Sequence, residues 1–74
     1  MSLVLVTRQD CHLCQNALKL LRDMGAEPEL LDVDADAKLF DLYDWRVPVL
    51  LRDGQVVAEG RITSEQLLRA LKPD

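Results

Sequence analysis

Cys11 and Cys14 are the only cysteines of the chain, with His12 and Leu13 between them. Side chains three apart on a helix lie about 5–6 Å from each other at Cβ, and the slack of a first turn lets two such sulfurs reach bonding distance. The chemistry this spacing allows is reversible thiol–disulfide exchange. A bridge between Cys11 and Cys14 closes too small a loop to staple a fold against unfolding, so the pair reads as chemistry and not as scaffolding. Cys11, the first of the two, is the expected nucleophile: its thiolate attacks a substrate disulfide, and Cys14 then attacks the Cys11 sulfur and releases the reduced substrate. Arg8 and a protonated His12 favour that thiolate, whereas Asp10 opposes it by like charge.

Other uses of the same residues fit less well. Tetrahedral zinc usually takes four protein ligands, and two cysteines plus the one histidine of the chain fall short unless a second chain contributes. No resident metal is expected. Hydrolysis by a serine, histidine and acid constellation has no support in the sequence. The plainest alternative is that Cys11 and Cys14 are two small residues opening a helix.

The elements around the motif argue against that alternative. Leu3–Val6 is a short apolar run with two β-branched residues, which suits a strand buried on both faces. From Cys11 to Met24, Leu13, Ala17, Leu20, Leu21 and Met24 recur at helical spacing, and Gly25 supplies the left-handed residue that ends such a helix. Strand one therefore delivers the chain into Cys11 at a helix start, where unsatisfied N–H groups and the helix dipole favour an anion. Glu29–Val33 after Pro28 fits a second strand, and Ala35–Tyr43 a second helix with Ala35, Leu39 and Leu42 on one face. Pro48–Arg52 and Gln55–Glu59 flank Asp53-Gly54, a dipeptide suited to a two-residue hairpin turn. Thr63 and Gln66 form a capping-box pattern ahead of Leu67, Leu68 and Leu71, and Pro73 closes the helix. The order is β-α-β-α-β-β-α, an α/β arrangement with a mixed sheet flanked by helices, and residues 1–74 are expected to form one domain.

Bulk properties set the limits. The chain has 74 residues, 49% of them hydrophobic and 30% charged, enough apolar material for one core. A net charge of −4 repels phosphate backbones and anionic headgroups, so neither nucleic acid nor membrane is an expected partner. The opening residues Met1–Val6 carry no basic segment, long apolar stretch or cleavage site, and no run approaches a membrane span. A cytoplasmic monomer without a bound cofactor is the expectation.

Pro48 opens what reads as an inner strand, where proline is normally excluded because it removes a ladder donor. With the strand, the Cys11–Cys14 helix start, this proline, the hairpin and the closing helix in that order, the chain resembles the glutaredoxin/thioredoxin superfamily over nearly its whole length. The resemblance implies a four-stranded thioredoxin fold, a cis Val47–Pro48 bond facing the cysteines, and a backbone at Val47 that pairs with substrate. Trp45 and Arg46 would then wall a groove for an extended peptide or for glutathione. Arg8 matches a position where glutaredoxins usually carry lysine, and Gly60, between Glu59 and Arg61, is what remains of their glycine pair. The Cys-His-Leu-Cys motif departs from the usual motifs of both branches. Within the family, the substrate would be a disulfide-containing protein or a glutathione mixed disulfide, with glutathione as a candidate electron donor. An iron–sulfur or metal carrier using Cys11 from each of two chains, and a non-catalytic binding module, are the alternatives.

Overall fold

The computed structural model of the chain describes residues 2–73. Its elements are β1 (Leu3–Thr7), α1 (His12–Asp23), β2 (Glu29–Asp32), a 3-10 turn (Val33–Ala35), α2 (Ala37–Tyr43), β3 (Val49–Arg52), β4 (Gln55–Glu59) and α3 (Ser64–Ala70). The four strands form one mixed sheet in the order β2-β1-β3-β4, with β1 parallel to β2 and antiparallel to β3. The fold is the thioredoxin fold.

Alternation along β1 divides the core in two, because successive side chains of a strand point to opposite faces. Leu5 packs with Ala17 and Leu21 of α1, Leu50 of β3, and Leu67 and Ala70 of α3. Val6, its neighbour, points the other way, to Val33 and Val49 with Leu39 and Tyr43 of α2. Leu5, Val6, Val49 and Leu50 are all fully buried, so the central pair of strands is covered on both faces. That is why β1 reads as a continuous apolar run.

Local signals fix the turns. Asp53 and Gly54 have φ of 51° and 84°, the two positive values that a two-residue hairpin of this hand requires. The Ser2 N–H donates to Asp53 Oδ1 and the Asp53 N–H to the Ser2 carbonyl, both at 2.8 Å, so this turn is pinned to the start of β1. Thr63 and Gln66 complete the capping box of α3. At its other end Arg52 donates to the carbonyls of Ala70 and Lys72, satisfying acceptors the helix leaves open.

The segment after β2 differs from the sequence expectation. Val33 is not the last residue of a strand but the buried start of a 3-10 turn, and α2 begins at Ala37, not Ala35. Two aspartates impose this. Asp32 accepts from the Asp34 N–H, and Asp36 accepts from Lys38 and Leu39 N–H as N-cap of α2. Ala35 therefore lies outside the helix and is exposed, and Leu42 is 57% exposed; of the expected face, Leu39 alone packs on the core.

Leu50 sits fully buried at the centre of β3, touching the core between α1 and α3. Leu50→Ala is expected to cost about 2–5 kcal/mol. Urea unfolding should show the lowered midpoint with an unchanged slope.

Candidate active site

Three chain segments meet at one end of the sheet. β1 runs toward this end and β3 runs away from it, with Val6 opposite Val49, so the exit from β1 and the entry to β3 are neighbours. The residues after Thr7 lead to the cysteines, and those before Val49 are Val47 and Pro48. β4 returns to the same end, with Glu59 opposite Val49 and Gly60 following. The Gly60 N–H donates to the carbonyls of Pro48, at 2.8 Å, and Arg46, at 3.2 Å, tying the third segment to the second.

Asp10, with φ of 58°, makes the left-handed step that turns the chain into α1, a conformation aspartate tolerates better than most residues. Cys11 follows as the N-cap, and its carbonyl accepts the first helical bond, from Gln15 at 3.0 Å. Its sulfur takes the place of the usual capping oxygen, accepting from the Cys14 N–H at 3.2 Å. Cys11 and Cys14 are joined as a disulfide with their Cα atoms 5.2 Å apart. The two differ in access: Cys11 is partly exposed, whereas Cys14 is 3% exposed among the core residues of α1. A thiolate at Cys11 would keep the Cys14 N–H and the positive end of a twelve-residue helix, whose first turn holds no acid. His12 is exposed on that first turn.

The Val47–Pro48 peptide bond is cis, and Pro48 is fully buried. Among the described residues no hydrogen bond engages the backbone N–H or carbonyl of Val47. Arg46 turns away to Glu59, which accepts from Nε and Nη2, while Nη1 donates to the Leu42 carbonyl and the guanidinium lies 5.2 Å from the Tyr43 ring centroid. The Glu59 carboxylate raises the Arg46 pKa. Trp45 stands 94% exposed, so it is not the partly buried aromatic that a lone tryptophan usually is.

Arg8 is bound on every nitrogen. Nε and Nη2 grip the Asp34 carboxylate at 2.8 and 2.9 Å, Nη2 also donates to Asp44 Oδ1, and Nη1 to the Asp44 carbonyl. The fork geometry of guanidinium on carboxylate makes this a directional tie. It joins the loop before Cys11 to the 3-10 turn and to the turn carrying Trp45. The sequence points to Arg8 as support for the Cys11 thiolate and, by the family resemblance, as the counterpart of a glutaredoxin lysine, but not to Asp34 and Asp44 as its partners; the alternation Asp32, Asp34, Asp36 was the available hint. On the other flank, Leu13, Asn16, Lys19, Arg61 and Thr63 line an open groove of about 400 Å³. Lys19 and Arg61 have no ion-pair partner among the described residues. No group of three or more metal-ligating side chains exists among the described residues, and no helix is long and apolar enough to cross a membrane.

Residues 2–72 match the family model of a glutaredoxin-like domain (DUF836). Among solved structures, the chain is similar to target protein XcR50 from X. campestris, at 33% identity over 95% of each chain with a TM-score of 0.81. It is also similar to protein Ne2328 from Nitrosomonas europaea, at 28% identity over 96% of this chain and 91% of that one, TM-score 0.80. The thioredoxin-like protein BC3987 matches at 31% identity over 95% of this chain and all of its own, TM-score 0.76. No curated protein matches the sequence.

Arg8 holds the Asp34 carboxyl below its ordinary value of 3.8. A carboxyl with a depressed folded pKa stabilises the fold in full above its unfolded value, and the contribution is lost as pH falls through the folded one. The Tm difference between the protein and Asp34→Asn should thus be present at about pH 6 and shrink as pH falls below the ordinary carboxyl value of 3.8. A difference of equal size at both ends would remove charge from the account of this tie.

Proposed function

The chain belongs to the glutaredoxin-like family of the thioredoxin superfamily, and from that premise we propose that it is a thiol–disulfide oxidoreductase acting through Cys11 and Cys14. One observation carries the reading. The sulfur of a partly exposed cysteine caps a helix and accepts the backbone N–H of the very residue whose buried sulfur it bonds. Attack needs access and a stabilised thiolate, and resolution needs a second sulfur sheltered from outside reagents but within reach.

The cycle balances without a cofactor. In the dithiol form the Cys11 thiolate attacks one sulfur of a substrate disulfide; that S–S bond breaks, a Cys11–substrate disulfide forms, and the other substrate sulfur leaves as a thiolate. Cys14 gives up its proton and attacks the Cys11 sulfur, which releases the second substrate thiolate and leaves the Cys11–Cys14 disulfide. Two electrons pass from the dithiol to the substrate, and the departing thiolates take up protons. An external thiol donor, either glutathione or a reductase dithiol, then restores the dithiol by the same exchange in reverse. The Cys14 N–H stabilises the Cys11 sulfur whenever it carries charge, both as attacker and as leaving group. We place this cycle in the reducing cytoplasm, where such donors are kept supplied.

The test is differential reactivity. In the reduced protein near neutral pH, Cys11 should alkylate at least about tenfold faster than Cys14, as expected of a partly exposed thiolate beside a buried thiol. Cys14→Ser should accumulate a stable mixed disulfide at Cys11, detected by mass. Were both thiols to react no faster than in the unfolded chain, the proposal would be wrong.

A further inference from the structure

Nine lysines and arginines stand against thirteen aspartates and glutamates in this chain, so a groove that gathers cations without an acid runs against the character of the whole. The groove beside Leu13 does so. Leu13, Asn16 and Leu20 follow one face of α1 at helical spacing, and the connection from β4 to α3 forms the facing wall. Its apolar part is Leu13, 37% exposed, with partly buried Leu20 and buried Ile62. Lys19 on one wall and Arg61 on the other are exposed, and among the described residues no carboxylate lines the groove. The acids nearest along the chain do not cancel them. Glu59 is held by Arg46 and Glu65 by Arg69, and among the described residues no ion pair joins Lys19 to Asp23, one turn on.

We propose that this groove docks a protein partner of the redox cycle through a segment that sets carboxylates beside apolar side chains. The inference goes beyond the redox reading in naming a contact away from the sulfurs, and rests on it for the partner's part in the cycle. Charge selects the occupant first. On a molecule of net charge −4 an acidic segment is repelled by the surface at large and held at the groove, which orients the partner as well as attracting it. The apolar floor selects it second. It follows residues 13–20 of α1, about 10 Å at the helical rise, enough for several side chains. Glutathione brings carboxylates but no apolar side chain to cover such a floor, and the overall charge repels a nucleic acid. Leu13 belongs both to the groove and to the motif, so a partner seated here lies next to the partly exposed Cys11.

Docking is read without chemistry. The oxidised full chain, methyl-labelled at leucine and isoleucine, is titrated with three cysteine-free peptides of equal length, carrying glutamate and leucine, lysine and leucine, or glutamate and serine. The glutamate–leucine peptide should move the Leu13, Leu20 and Ile62 methyl signals saturably and bind about fivefold or more tighter than either of the others, the scale of a few interfacial charges. Added salt should weaken it, and Lys19→Glu combined with Arg61→Glu should reverse the order of the two leucine peptides. Net charge alone predicts tighter binding of the lysine peptide. That order, shifts confined to other methyls, or an unreversed order in the double variant would each overturn the proposal. So would glutathione moving the same signals as strongly, which would make the groove a small-anion subsite, or the same shifts on concentrating the chain alone, which would assign it to a second copy. In the reduced chain, the same peptides joined to a cystine should be reduced in the same order relative to the neutral disulfide dithiodipyridine. Failure of dithiodipyridine to react at Cys11 would bring down the redox reading, and the partner's part in the cycle with it, whatever the methyl signals show.

Discussion

The register of β1 against β3 is the constraint on which the site depends. With Val6 opposite Val49, the loop that leaves β1 toward Cys11 and the segment that enters β3 through Val47 and Pro48 must emerge at the same end of the sheet. A slip of one residue would turn Leu5 toward α2 and Val6 toward α1, exchanging two cores that are each filled to complete burial. The buried quartet Leu5, Val6, Val49 and Leu50 therefore does more than stabilise the sheet. It fixes where two loops of quite different composition come together, about 40 residues apart in sequence.

Charge completes what the register begins. Loops at a sheet end have few apolar contacts to hold them, and here arginines take over that task. Arg8 gathers the 3-10 turn and the turn after α2 against the loop before Cys11, while Arg46 fastens the other side of the latter turn to Glu59 on β4. Exposed ion pairs add little to global stability, but forked, multidentate ones define geometry. The consequence for chemistry is a trade. A guanidinium held by two carboxylates is a good tie and a poor receptor for a third, so the residue that would be expected to greet an anionic substrate has instead become part of the frame.

Much of this was legible in the residues. The hairpin at Asp53-Gly54, the capping box at Thr63 and Gln66, the helix end at Gly25 and the Cys11–Cys14 helix start all rest on interactions within four residues, and local sequence records such interactions directly. The helix after β2 was misplaced because seven residues make barely two turns, too few for apolar spacing to define a face. Its true start is written in Asp36, a capping residue masked among other aspartates. The partners of Arg8 lie 26 and 36 residues away, and the exposure of Trp45 depends on how a turn is anchored from outside itself. Neither leaves a trace in periodicity or spacing.

The placement of the cysteines also makes the fold largely independent of its one disulfide. A bond spanning three residues restricts the unfolded chain only locally, so opening it removes little from the fold. The backbone that positions the sulfurs is held by other means: the Asp10 turn, the Gln15 to Cys11 helical bond, the Arg8 tie and the Gly60 bonds to Arg46 and Pro48. None of these contains a sulfur. The frame around Cys11 on its helix end and Cys14 within the core is therefore built from interactions that do not depend on the bond between the two sulfurs, and this is the arrangement that the cycle proposed above would require.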